Sequence, residues 1–173
     1  MASDRSATGG RRSHTASFTA TVTWRRDEGE AFVDNRYGRG HLWRFDGGIE
    51  VPASSAPSSV PLPLSRADAV DPEEALVAAT SSCHMLFFLA FAAREKLCID
   101  LYDDAATGTL ARRDDGRIAM TEIRLRPRVV FSGQNRPDAD LIARLHHEAH
   151  EACYIANSIT AQVVVETVAP EFA

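Results

Sequence analysis

Cys83 lies in the middle of the most apolar stretch of the chain, Ala75 to Ala93. A cysteine in such a run is either a small core-filling residue or a reactive thiol. Mid-helix placement supplies no helix N-terminus to lower its pKa, so reactivity would require a cation brought from elsewhere. Arginine suits that role because it stays charged when buried. A second group begins sixty residues later. His146, His150, Cys153 and Asn157 are spaced i, i+4, i+7, i+11, which aligns them on one face of a helix, opposite an apolar face formed by Leu141, Leu145, Ala149 and Ala152. One such residue could be a satisfied structural histidine; four in register point to chemistry, with a structural role left open.

Metal binding is the first chemistry to weigh. His146-His147-Glu148-Ala149-His150 looks like a zinc-protease helix but is one residue too short for H-E-x-x-H. A zinc site from His146, His150 and Cys153 plus Cys83 remains geometrically open. Cys98 has no histidine or acidic context and reads as structural.

The elements that position these residues can be read in outline. The 173 residues are 45% hydrophobic, enough for one good-sized core, and one domain over residues 16–169 is expected. The formal net charge of −5 implies no general attraction to nucleic acid or to an anionic membrane. The alternating run Arg124-Leu125-Arg126-Pro127-Arg128 reads as the wet face of a strand. Residues 1–15, rich in Ser, Gly and Arg, read as a disordered tail without the apolar region of a secretory signal, so a cytoplasmic location is expected. In a reducing compartment three cysteines do not make a structural disulfide framework. Ala75 to Ala93 could span a bilayer by length, but Thr80-Ser81-Ser82-Cys83-His84 interrupts it and charges bracket it, so a helix buried in protein is expected and no membrane contact.

Ser17 to Trp24 alternates as a half-buried strand, and Glu30 to Asn35 and Gly40 to Phe45 read as two more in an antiparallel meander. Pro52 to Ser65 reads as a surface loop. Asp71-Pro72-Glu73-Glu74 opens a helix with a cap, a first-position proline and a capping-box glutamate; it should run to about Lys96. Because it is apolar nearly all round, sheet, a partner subunit or both should enclose it. Strands over Ile99 to Leu110 and Ile118 to Phe131 should follow, joined at Asp114-Asp115-Gly116, with Pro127 marking an edge or a bulge. A helix from Asp138 to about Ile155 and a strand over Ala161 to Val168 complete an α+β order.

Asp71 to His84, DPEEALVAATSSCH, resembles the signature of the OsmC/Ohr family, in which an N/D-P-E-E-x-L stretch leads to a cysteine ten residues after the first glutamate. His147 to Ser158, HEAHEACYIANS, resembles the family's second-cysteine segment. The resemblance covers about Ser17 to Val168. It implies an OsmC-like fold with an intertwined homodimer, long central helices wrapped by sheet, and a stress-response peroxidase. On that pattern Cys83 attacks an organic hydroperoxide and becomes a sulfenic acid. Cys153 then condenses with it to a disulfide, and an external dithiol, a lipoyl protein in the hydroperoxide-resistance branch, reduces the pair.

The family also uses an arginine and a glutamate beside the thiolate. Glu73 matches the glutamate; Arg39 is the first choice for the arginine and Arg44 the second. In one straight helix ten residues separate Glu73 from Cys83 by about 15 Å. Either the glutamate comes from the other subunit or the helix breaks. The resemblance thus implies a thiol peroxidase with catalytic Cys83, Cys153, Arg39 and Glu73, needing no organic cofactor or metal. The alternative is an OsmC-like metal- or small-ligand-binding protein without peroxidase activity. His41, His84, His146 and His150 supply more imidazole than a peroxide pocket requires.

Overall fold

The computed structural model describes residues 15–173, so the expected tail lies, but for Thr15, outside the described residues. Three strands, β1 (Ala20–Thr23), β2 (His41–Phe45) and β3 (Glu50–Ala53), form an antiparallel sheet in the order β1-β2-β3. The meander is therefore present with a different membership. Glu30 to Asn35 is not a strand but part of a loop, in which Asn35 takes a left-handed φ of 63° and Trp24, Phe32 and Tyr37 cluster. β2 and β3 are joined at Asp46-Gly47-Gly48, where Gly48 supplies the φ of +81° the turn requires. The Ser17 to Trp24 segment is not half-buried: Phe18, just before β1, is 91% and Val22 63% exposed, because no layer of the described residues covers this side of the sheet.

The Pro/Ser segment is tied at its base. Val70 donates to the Pro52 carbonyl and Ser54 to the Val70 carbonyl, both through backbone N–H groups. Pro52 itself lies in β3, an edge strand that can tolerate a missing donor.

Helix α1 (Pro72–Arg94) starts on the expected capping box: the Asp71 carboxylate accepts from Glu74 N at 2.7 Å and Glu74 Oε2 from Asp71 N at 3.3 Å. It ends where Lys96 turns left-handed, with Lys96 N donating to Ala93 O and Leu97 N to Ala92 O, satisfying two terminal carbonyls. By length and composition α1 could cross a membrane. In this fold one stripe, Thr80, His84, Phe88 and Ala92, is buried, and Leu86 on another face is 61% exposed.

The two expected strands after α1 are four. β4 (Cys98–Asp104) and β5 (Thr107–Arg112) belong to different sheets, as do β6 (Ile118–Leu125) and β7 (Pro127–Ser132). β5 and β6 form the hairpin expected at Asp114-Asp115-Gly116, with Gly116 at φ +83°. One sheet runs β5-β6-β8 and the other β4-β7-β9, where β8 is Gln162–Val165 and β9 is Glu171–Phe172. Pro127 does not mark an edge, since β7 is central; it occupies the first residue of the strand, where the chain changes sheets. Burial alternates without a break from Ile123 to Val129, odd positions in and arginines out. Arg124 and Arg126 pair with Glu166, Arg124 also with Glu122, and Arg128 with Glu171. The basic run is thus the solvated face of a strand pair, matched by glutamates.

Helix α2 (Ala139–Ala152) is capped by Asp138, whose carboxylate accepts from Leu141 N at 2.8 Å. It ends three residues before Ile155, with Cys153 as its C-cap residue. Its Ile142, Leu145 and Ala149 join Phe88, Ala92, Val129 and Phe131 in the core between the helices and the β4-β7-β9 sheet. Arg144 ties α2 to the end of α1 through Glu95 at 2.8 Å.

Candidate functional site

The face of α2 that carries His146, His150 and Cys153 is not opposite the core-facing one. His146 is 3% exposed and Cys153 fully buried, so both belong to the packed side of the helix. Asn157 lies beyond α2 in the short 3-10 turn Ala156–Ser158 and is exposed; its Nδ2 donates to the Glu151 carbonyl at 2.9 Å. The apolar stripe is correspondingly turned, with Ile142 buried and Leu141 only partly so.

Cys83, on α1, and Cys153, at the end of α2, meet although 70 positions separate their numbers. Burial pushes the Cys153 thiol up to about 11, and the neighbouring Cys83 side chain adds to the effect. Ala156 N donates to Cys153 Sγ at 3.4 Å and partly opposes it. Both cysteines are free, Cys83 partly exposed, and Cys98 is exposed at the start of β4, apart from the pair.

Beside the thiols His84 and His146 stack at 5.4 Å between ring centroids and 9° between planes, with His84 Nε2 3.1 Å from His146 Nδ1. Phe88 stacks on the His146 ring at 4.2 Å. Burial, together with the nearby His146 and His150, lowers His84 to about 3; burial lowers His146 to about 4. The pair is neutral at physiological pH, with one ring N–H shared between Nε2 and Nδ1. Among the described residues no three His, Cys, Asp or Glu side chains converge as a metal site would require, so the zinc set of His146, His150, Cys153 and Cys83 is not assembled.

Arg39 and Glu73 lie together elsewhere. Both line a cavity of about 450 Å³ between the β1-β2-β3 sheet, the Trp24–Gly40 loop and the start of α1. The Arg39 guanidinium sits 3.6 Å from the Tyr37 ring centroid. Its Nη2 donates to Asn35 O at 3.1 Å and Asn35 Oδ1 at 2.9 Å, and its Nη1 to the Tyr37 carbonyl. Arg44 is engaged otherwise, in an exposed cross-strand ion pair with Glu50 at 2.5 Å, its register partner. His41, in the same cavity, donates through Nδ1 to the Arg39 carbonyl at 2.8 Å and accepts through Nε2 from Trp43 Nε1 at 2.9 Å. The two contacts fix a single neutral tautomer.

Glu73 also lines a second, larger cavity of about 710 Å³ along α1, shared with Ser81, Ser82, Tyr102 and Asp104. Neither cavity is lined by Cys83 of the same chain. Since α1 is unbroken from Pro72 to Arg94, the carboxylate and the thiol are held apart within one chain. Four expected site residues therefore form two separate pairs, Cys83 with Cys153 and Arg39 with Glu73. Trp24, Phe32, Tyr37 and Ser55 of the Arg39 cavity were not singled out from sequence; the closely spaced aromatics around Arg39 were the available signal.

Two thiols meeting between a long central helix and the end of a second, flanked by split sheets, define a protein of the OsmC-like class. Residues 65–168 match the family described as OsmC-like protein, and the chain belongs to that family. An OsmC-like protein of unknown function from Vibrio cholerae is 48% identical, covers 89% of this chain and 100% of its own, and superposes with a TM-score of 0.88. An organic hydroperoxide resistance protein from Elizabethkingia anophelis shares the fold at 15% identity, with 93% and 99% coverage and a TM-score of 0.62. The organic hydroperoxide resistance protein OhrB of Bacillus subtilis does so at 20% identity, with 90% and 98% coverage and a TM-score of 0.55. No curated protein matches the chain.

Proposed function

We propose that the protein is a cytoplasmic, two-cysteine thiol peroxidase acting on organic hydroperoxides. The observation that carries this reading is the meeting of Cys83 and Cys153, one partly exposed and one buried, with Cys83 near enough to help raise the Cys153 thiol. The Cys83 thiolate attacks the terminal oxygen of R–O–O–H. The O–O bond breaks, the alkoxide leaves and takes a proton to become the alcohol, and Cys83 becomes a sulfenic acid. Cys153 then forms a disulfide with Cys83 and releases water. An external dithiol, of which a protein-bound lipoyl group is one class, reduces that disulfide by two exchanges. No step calls for an organic cofactor or metal.

Arg39 stabilises the thiolate and orients the peroxide, with Glu73 as its acidic partner. Because these two line a cavity apart from the cysteine pair, the working site is composite: the Arg39–Glu73 cavity of one subunit faces Cys83 of another in a homodimer. The uncovered faces of α1 and of the N-terminal sheet support such an assembly.

Intact mass and free-thiol count before and after stoichiometric cumene hydroperoxide test the reading. Wild type should lose two thiols, Cys83→Ser none, and Cys153→Ser should gain one oxygen on Cys83. Retention of all three thiols by the wild type would overturn the peroxidase assignment and favour a ligand-binding role for the same cavity.

A further inference from the structure

Amid the apolar side chains that join α1 to α2 lies a buried polar contact, between His84 and His146. An imidazole nitrogen sits about 1.2 Å from its ring centre, so two such arms and the 3.1 Å gap fill the whole 5.4 Å between the centroids. Both nitrogens therefore lie on the line joining the rings, and the shared N–H points straight at the opposing lone pair. Phe88, one turn after His84 on the same buried stripe of α1, covers the face of the His146 ring at 4.2 Å. One contact holds that ring end-on and the other face-on.

Stability does not account for this arrangement. His84 Nδ1 stays buried without a partner, which costs at least as much as the shared hydrogen bond gains. An apolar pair of the same volume would fill the space without that cost. It would also let the helices slide and rotate, whereas a straight hydrogen bond weakens within a few tenths of an ångström. What the contact fixes is the register of two helices, and each carries a cysteine. His84 directly follows Cys83, and α2 ends at Cys153, about two turns beyond His146. A disulfide needs its two Cα atoms within about 7 Å, and a slide of α2 by one residue is already about 1.5 Å. The exposed Arg144–Glu95 pair also ties the helices, but through long side chains that follow such a slide.

We propose that His84 and His146 are positioning residues for the resolving step, their shared proton locking α2 to α1 so that Cys153 captures the Cys83 sulfenic acid before a second hydroperoxide does. In the competing reaction that second hydroperoxide transfers one oxygen to the sulfenic acid, leaving a sulfinic acid and another molecule of alcohol. Capture by Cys153 instead forms the disulfide and releases water. The fate of the sulfenic acid rests on the peroxidase reading; the locking of the two cysteines does not.

Three full-length proteins test this, each carrying Cys98→Ser to remove the exposed thiol apart from the pair. One has no other change. A second adds His84→Phe/His146→Leu, which removes the hydrogen bond without leaving one ring unpaired. The third adds His146→Asn, whose amide oxygen can stand where Nδ1 stood. Near-UV circular dichroism checks that each core is packed. Oxidised glutathione forms the disulfide by two exchanges that release two reduced glutathiones. The equilibrium constant for that reaction should fall by at least about tenfold in the double variant and return to within about twofold in His146→Asn. Under excess cumene hydroperoxide the double variant should gain two oxygens on Cys83 by intact mass, while the other two stop at the disulfide. Cys83 should be lost at the same rate in all three, since attack on peroxide does not use the contact. An unchanged equilibrium constant in the double variant, or the same fall in His146→Asn, overturns the positioning role, and Cys83 oxidation would still leave the peroxidase standing. The expected equilibrium shift with no thiol lost to peroxide would do the reverse.

Discussion

His84 and His146 face each other across the α1–α2 contact with their rings parallel within 9° and Nε2 3.1 Å from Nδ1, so the residue following Cys83 is tied to the helix that ends at Cys153. The stack is buried and neutral, and that makes it sensitive to acid. Unfolded imidazoles titrate near 6.5, whereas the folded pair titrates near 3 and 4. Between those values the unfolded chain binds more protons, so the contribution is fully present above about pH 6.5 and is lost as pH falls toward the folded values.

Denaturant midpoints should therefore drop between pH 6.5 and 4.5 by an amount corresponding to a few kcal/mol. Carboxylates contribute in a lower window. Arg126 and Arg124 hold Glu166, and Arg128 holds Glu171, below their usual range, so their share is fully present above the ordinary carboxylate pKa and is lost as pH falls through the lowered folded values. A His84→Phe/His146→Leu double variant should flatten the upper window and leave the lower one. An equal drop in the variant would assign the slope to other groups.

The two arginines should separate cleanly. Arg39→Gln should lower kcat/KM for cumene hydroperoxide by at least about tenfold, the scale expected for a charged hydrogen bond to reacting atoms. Arg44→Gln breaks only the exposed pair with Glu50 and should leave turnover unchanged, with a stability loss under about 1 kcal/mol. Steady-state kinetics on both variants decides between them, and a collapse in Arg44→Gln would reverse the assignment.

A composite site predicts complementation. Cys83→Ser and Glu73→Gln, each impaired alone, should regain activity when unfolded together and refolded at equal concentration. Half the dimers would be mixed, each with one intact site, giving roughly a quarter of wild-type activity. Mixtures no better than the sum of the separate proteins would place Glu73 and Cys83 in one subunit's site.

Gly108 marks a close approach of β5 to α1. A Cβ built there lies 2.6 Å from Val77 Cγ2 and 2.8 Å from the Met120 sulfur. Gly108→Ala should cost about 1–3 kcal/mol in urea unfolding through overpacking, the value depending on how far the Met120 side chain yields. A neutral result would mean that Val77 also moves freely.

How much was legible follows from where the signals are local. The α1 start, the β5–β6 turn and the alternation through Arg124-Arg128 are written in adjacent residues, and each appears at its expected place. The division of Ile99–Leu110 was not legible because the break falls at Ala105-Ala106, which carries no turn chemistry. Phe32 and Val33 gave Glu30–Asn35 the look of a strand, yet Phe32 is held by Trp24 and Tyr37 rather than by a ladder. The turned face of α2 has a similar cause. A histidine counts as polar in a periodicity argument, but His146 finds a buried partner on another helix, 62 residues back. The meeting of Cys83 with Cys153 depends on the same tertiary contact, and only the family resemblance anticipated it.

The opening turn of α1 carries three carboxylates within four residues, and only two of them cap the helix. Asp71 and Glu74 accept from each other's backbone N–H groups, while Glu73 alone of the three lines both cavities. The segment therefore superposes two messages, one instructing the chain where to begin coiling and one addressed to whatever enters the clefts. Editing the first should alter how firmly the protein holds its shape, and editing the second what it can do while holding it.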